Sequence, residues 1–93
     1  DEEEEEKEEI RRQLDEARER GVSEEEAAIE VAQNFNFIVV VVVDSEEEAE
    51  RVAEYVRREV PRVHIVIVQN VVFFRVDSDE DARRVWELAQ KAQ

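Results

Sequence analysis

His64 is the only side chain of this chain that titrates near neutral pH when its surroundings do not perturb it. A general base needs a nucleophile or a positioned acid within hydrogen-bonding reach. The sequence neighbours of His64 are Val63 and Ile65, and Val66 shares its face of a predicted strand. We therefore expect a structural histidine near a helix end or a sheet edge, and we predict no catalytic residue.

The acidic segment Asp77–Asp81 mimics the opening of a calcium-binding loop, with acids at its first, third and fifth positions. The rest of the pattern fails, because Ala82 stands where the loop needs glycine and Leu88 where it needs a bidentate glutamate. A helix N-terminus, which favours acidic residues, explains the same segment. We predict no metal site.

The hydroxyl-bearing and phosphate-binding motifs of known enzymes are missing. Ser23, Ser45 and Ser78 each precede acids at the spacing of a helix N-cap, which accounts for all three hydroxyls. With Gly21 as its only glycine, the chain cannot build a phosphate-cradling loop. It has no cysteine, so disulfides, thiolate nucleophiles and zinc–thiolate sites are excluded. We predict no cofactor and no cofactor-binding residue.

Charge restricts the partners. The chain carries 27 acidic and 13 basic residues, a net charge of −14, which disfavours nucleic acid and anionic membrane surfaces and favours solubility. The longest apolar run, Phe37–Val43, is far shorter than the ~20 residues of a membrane helix. The acidic N-terminus Asp1–Glu9 could dock a basic protein, although a solvated helix end explains it as well. No targeting signal is recognisable, and the lack of an initial Met suggests processing or a removed tag, as in recombinant cytoplasmic expression.

Hydrophobic periodicity predicts seven elements in the order helix, helix, strand, helix, strand, strand, helix. The helices are predicted over Glu2–Arg20, Ser23–Gln33, Ser45–Val60 and Ser78–Ala92, and the strands over Phe37–Val43, Val63–Val68 and Val71–Val76. Gly21 and Asn34 are the predicted left-handed helix terminators. Trp86 is predicted to face inward from the last helix, on one stripe with Val85 and Ala89.

The apolar character of the strands predicts the tertiary arrangement. The strands are apolar on both faces, which is typical of a sheet that is covered on both sides. We therefore predict an α/β fold in one domain, residues 1–93, in which helices cover both faces of a three-stranded mixed sheet. The strand order is 1-3-2 or 1-2-3, and the first, which is partly ferredoxin-like, is preferred. Residues 1–8 are expected to fray.

The chain resembles idealised, computationally designed α/β proteins, and the resemblance covers its whole length. Helix starts recur as Ser-Glu-Glu-Glu at Ser23 and Ser45 and as Ser-Asp-Glu-Asp at Ser78. Strong helix formers fill the predicted helix surfaces, and binary pattern agrees with propensity in every element. The resemblance implies a de novo designed scaffold with no biochemical activity. The alternatives are a protein-binding module that uses its acidic surface or a sheet edge, and an enzyme, which the missing motifs argue against.

The sequence also gives an expectation for the oligomeric state. We expect a monomer without protein, nucleic acid or membrane partners. The Val-rich first strand and the unusual Gln69-Asn70 turn, where Asn-Gly or Asp-Gly would be favoured, leave a strand-edge or swapped homodimer as the alternative.

Replacing Ser45 by alanine tests the predicted cap. Loss of the hydroxyl leaves a backbone N–H of the third helix without its partner, so the free energy of unfolding should fall by about 1 kcal/mol. Urea denaturation measures this loss. An unchanged midpoint would mean that the third helix starts elsewhere.

Overall fold

The computed structural model describes all residues, 1–93, and confirms the predicted fold class and element order. Four helices and three strands form a small α/β fold. Their bounds are α1 Glu2–Glu19, α2 Glu24–Asn34, β1 Val39–Val42, α3 Glu46–Glu59, β2 His64–Val68, β3 Val71–Arg75 and α4 Asp79–Ala92. None of the helices combines the length and the apolar character that spanning a membrane requires.

The strand order is β1-β3-β2, so the preferred 1-3-2 order is confirmed. The prediction of a mixed sheet is wrong, since both hydrogen-bonded pairs are antiparallel. The physical reason is the position of β3. A two-residue turn returns β3 antiparallel along β2, and β3 then lies between β2 and β1, which would otherwise form the parallel pair.

β3 divides the apolar interior into two layers. Val71 and Phe73 pack on the side of α1 and α2, whereas Val72 and Phe74 pack on the side of α3 and α4. All four side chains are fully buried. Because successive strand residues point to opposite faces, a strand that is apolar throughout can serve two cores at once.

Each layer is completed by a helix pair, as predicted. α1 contributes Ile10, Leu14 and Ala17 to the first layer, and all three are buried despite the thin apolar stripe. α3 contributes Val52 and Val56 to the second layer. The helix α1 begins at Glu2, because the side chain of Asp1 accepts a hydrogen bond from the Glu4 N–H; fraying of residues 1–8 in solution stays a prediction.

The three predicted serine caps are formed. Each serine Oγ accepts a hydrogen bond from the backbone N–H three residues later, at 3.2 Å for Ser23, 3.1 Å for Ser45 and 3.1 Å for Ser78. In α3 the Glu48 carboxylate also returns to accept from the N–H of Asp44 at 3.1 Å. The three serine bonds satisfy amides that a helix leaves unpaired at its start.

The end of α2 differs from the prediction. Asn34 is still helical, and the left-handed residue is Asn36, with φ of 62°. The N–H of Phe37 then donates to the Ala32 carbonyl at 2.8 Å and that of Asn36 donates to Gln33 at 3.4 Å, the paired bonds of a Schellman motif. Gly21, by contrast, has the predicted left-handed conformation after α1, with φ of 89°.

β1 is shorter than predicted at its N-terminal end. The Schellman bond holds Phe37 outside the ladder, and its ring packs on the α1 and α2 side. The N–H of Ile38 donates to Phe74, the residue that Val39 also opposes, so two residues face one as in a β-bulge. The bulge shifts the alternation of side chains and leaves Ile38 exposed.

The Gln69-Asn70 turn joins β2 and β3. Gln69 has φ of 56° and Asn70 does not have a positive φ, a pattern nearer to a type II′ than to a type I′ turn. The Gln69 side-chain carbonyl accepts from Arg18 Nη1 at 2.7 Å, and the Asn70 amide donates to the Val43 carbonyl at 2.8 Å. Side-chain contacts therefore hold a turn whose residues are not the usual ones.

The prediction that Trp86 faces inward is wrong. Its side chain is 53% exposed, whereas Val85, Leu88 and Ala89 are buried. Successive residues of a helix are separated by about 100°. Trp86 therefore lies about 100° from Val85 around the helix. This position is outside the face that α4 buries against the sheet and α3.

Alanine variants of two neighbouring residues check this orientation of α4. Val85→Ala removes two buried methyl groups and leaves a cavity, so it should lower the free energy of unfolding by about 2–3 kcal/mol. Trp86→Ala should lower it by less than about 1 kcal/mol, because the indole is half exposed. Urea denaturation in dilute solution measures both. A larger loss for Trp86 than for Val85 would contradict the structure.

Candidate functional site

Glu6, His64 and Arg75 form a cluster where β2 begins and β3 ends. His64 is the first residue of β2, and the register pairs it with Arg75, the last residue of β3. Glu6 of α1 lies over both. Together with Glu2 and Glu3, these three side chains line an open surface cleft of about 310 Å³.

The ring of Phe37 contacts both Arg75 and His64. The Arg75 guanidinium lies 4.3 Å from the centre of the Phe37 ring, within cation–π range. The imidazole of His64 stacks parallel to the same ring, with centroids 6.5 Å apart and an interplanar angle of 5°. Arg75 Nη2 also donates to the Phe35 carbonyl at 2.5 Å. The aromatic ring and this carbonyl therefore fix the position of Arg75.

Glu6 is close to both His64 and Arg75 without forming a hydrogen bond to either. Its Oε1 is 3.9 Å from His64 Nε2 and its Oε2 is 3.7 Å from Arg75 Nη2. Both distances exceed the 2.7–3.2 Å of a hydrogen bond between nitrogen and oxygen. The contact between Arg75 and Glu6 is an ion pair at a partly exposed surface, a type that contributes little to stability.

His64 lies in an open cleft with charged walls. His64 is 46% exposed, and the cleft around it is lined by three glutamates and one arginine, without a hydroxyl that a base could activate. No group of three or more His, Cys, Asp or Glu side chains converges as a metal site would require. His64 is thus at the end of an edge strand, the position expected from the sequence, and the absence of a catalytic role stays a prediction.

Hydrogen bonding and ion pairing shift the pKa values of Glu9 and Arg12, which lie elsewhere on α1. A hydrogen bond from Arg12 lowers the pKa of Glu9, and a weaker hydrogen bond from Gln13 acts in the same direction. The hydrogen bond to Glu9 raises the pKa of Arg12, as does the nearby charge of Glu16. Both side chains are on the exposed face of the helix, where such shifts reflect ion pairing and not a site prepared for proton transfer.

A larger cleft, of about 580 Å³, lies between α3 and the edge strand β2. It is open to solvent, and its walls are mostly the charged outer face of α3. The lining residues are Glu47, Glu50, Arg51, Ala53, Glu54, Arg57 and Ile67. A ligand pocket is usually enclosed and mainly apolar with a few converging polar groups, and this groove is neither.

The other candidate residues have structural positions. Ser23, Ser45 and Ser78 are all N-caps. The segment Asp77–Asp81 forms the approach to α4 and its first turn, with Ser78 as the cap. These residues are spread over different helix starts, and the fold does not bring them together with His64.

Sequence reasoning missed the partners of His64. Glu6, Phe37 and Arg75 are separated by about 30 residues or more along the chain and come from three different segments. The alternation within β2 and β3 could have placed His64 and Arg75 on one face, once their register was known. Nothing in the sequence indicated that Glu6 would lie above them.

No protein-family model matches the chain, and no curated protein sequence is significantly similar to it.

A conservative substitution tests the role of Arg75. Arg75→Lys keeps the charge but loses the planar group that lies on Phe37 and reaches the Phe35 carbonyl, so it should lower the free energy of unfolding by about 1 kcal/mol. Arg62→Lys is the matched control, because Arg62 is exposed and makes no hydrogen bond or ion pair. Chemical denaturation compares the two variants. Equal losses would mean that the Phe37 contact does not stabilise the fold.

Proposed function

We propose that this chain has no biochemical activity and is a de novo designed structural scaffold, made so that its sequence specifies one fold. The observation that carries the proposal is the composition of the interior. All 26 buried residues are hydrophobic, and no polar or charged side chain is buried. Binding and catalytic sites usually place a few polar groups in apolar surroundings, at a cost in stability.

The agreement between local and tertiary structure supports the same proposal. All four helices begin at a side-chain cap followed by acids in the first turn. Such agreement is a design criterion, and functional sites are where natural proteins tend to depart from it. The departures in this chain include the positive φ of Gln69, at the opposite end of β2 from His64, and the exposed Trp86 on α4.

A protein-binding module is the second candidate, with a specific observation in its favour. Ile29, Ile38 and Trp86 are large apolar side chains that the fold leaves exposed. The acidic surface could alternatively attract a basic protein, and such binding would weaken as salt screens the charges. Exposed apolar side chains would instead bind with little salt dependence or more tightly at high salt.

NMR titration of the isotope-labelled protein tests the scaffold proposal. Zn²⁺, Ca²⁺ and ATP are added separately, with NaCl at equal ionic strength as the control. We expect no saturable shift of the His64 amide or of the amides in Asp77–Asp81, and cooperative unfolding without any ligand. A saturable shift at His64 that is lost in His64→Gln would overturn the proposal and identify a binding site.

A further inference from the structure

The three exposed large apolar side chains are distant in sequence but belong to elements that meet at one edge of the sheet. Ile29 of α2, Ile38 before β1 and Trp86 of α4 are 49%, 55% and 53% exposed. Clustered apolar groups on a surface commonly mark an interaction site, whereas scattered ones need no explanation. Whether the three side chains are clustered or scattered depends on how α2 and α4 are oriented.

Ile29 lies on the side of α2 that is turned toward the open edge of β1. α2 packs over β1, and α1 lies beside it over β2. The side of α2 that faces α1 is marked by Glu30, which pairs with Arg20 at 2.7 Å, and by Asn34, which donates to Gln13 at 3.0 Å. Ile29 is more than 90° from both residues around the helix, since each step is about 100°.

Trp86 occupies the corresponding position on the opposite face of the sheet. α4 packs under β1, and α3 lies beside it under β2 and β3. Arg84 marks the side of α4 that faces α3, because it pairs with Glu59 at 3.6 Å. Trp86 is two residues further, about 200° around the helix, and therefore points away from α3 toward the β1 edge.

The backbone of β1 is unpaired along this edge. The N–H of Val43 donates to the Asn70 carbonyl at 2.9 Å, which fixes the alternation of the ladder. In an antiparallel pair every second residue directs its N–H and C=O toward the partner strand. Val41 therefore points its backbone groups to β3, whereas Val40 and Val42 point theirs out of the sheet.

The two edges of the sheet differ in charge. Beside the β2 edge, α3 presents Glu50, Arg51 and Arg57 around the half-buried Ile67. Beside the β1 edge, the residues four positions after Ile29 and Trp86 are the neutral Gln33 and Gln90, and those four positions before are Glu25 and Ala82. A net charge of −14 repels a second copy over most of the surface, and this repulsion is weakest where the neighbouring side chains are neutral.

We propose that the β1 edge is a self-association surface, at which a second copy of this chain pairs its own β1 in antiparallel orientation. Two-fold symmetry then joins three strands from each copy into one continuous sheet. The axis is perpendicular to the sheet, so the two α2 helices lie on one face and the two α4 helices on the other, with Ile29 and Trp86 turned toward the second copy.

The charges along this interface are compatible with a second copy. Two-fold symmetry makes the two α2 helices antiparallel, so the acidic first turns of the two helices point in opposite directions along the interface. The outward-facing backbone groups of β1 alternate between N–H donors and C=O acceptors. A second β1 in antiparallel orientation presents the same groups, so the two edges can hydrogen-bond to each other.

Sedimentation equilibrium of the full chain is the first test. As the concentration rises from about 10 μM to about 1 mM, the mass should increase from 11.0 kDa toward twice that value. The increase should be larger in about 1 M NaCl, where the Debye length is about 3 Å and the net charge is screened. A constant mass of 11.0 kDa under all these conditions would overturn the proposal.

Two variants with the same net charge locate the interface. Ile29→Glu with Trp86→Glu and Arg51→Gln with Arg57→Gln both make the chain two charges more negative, but only the first pair lies at the β1 edge. The first should lose at least tenfold in dimer affinity, and the second should lose much less. Equal losses would mean that only the total charge matters and would contradict the proposal.

Amide hydrogen exchange of the unmodified chain gives an independent readout that requires no variant to fold. On dimerisation the amides of Val40 and Val42 should become protected, and those of Ile65 and Ile67 on the β2 edge should not. The fluorescence of Trp86, the only tryptophan, should shift to shorter wavelength as its ring is covered. A dimer that forms without these changes would place the interface elsewhere and overturn the proposal.

Discussion

The burial of β3 on both of its faces is the constraint on which the rest of the structure depends. Phe73 and Phe74 are adjacent in sequence and fully buried, yet they belong to different apolar layers. A single helix pair could cover only one of them, so a chain with this strand needs α1 and α2 on one side and α3 and α4 on the other. β3 is also hydrogen-bonded to a strand on each side, which leaves β1 and β2 as the edges.

The features that could be predicted from the sequence are those that depend on local pattern. The Val-rich run before Asp44 indicates a strand because β-branched side chains disfavour helix and fit a covered sheet. The serine caps follow from hydrogen bonds within four residues. The assignment of Val72 and Phe74 to one face and of Val71 and Phe73 to the other follows from the two-residue period of a strand, and the structure confirms it.

The features that could not be predicted depend on contacts between elements. Trp86 borders the apolar stripe of α4, and its exposure depends on α3 lying on the other side of that helix. Asn34 and Asn36 can both adopt a left-handed conformation, and the backbone bond from Phe37 to Ala32 decides between them. The approach of Glu6 to His64 depends on how α1 crosses the sheet, which no local pattern encodes.

Native-state hydrogen exchange of the β3 amides tests most directly whether this strand holds the two layers together. The N–H groups of Val72 and Phe74 point to β1, and those of Val71 and Phe73 point to β2. If both layers depend on β3, all four amides should exchange only through global unfolding, with the free energy obtained from urea denaturation. Exchange of either set through a smaller opening, while the amides of α3 stay protected, would contradict this account.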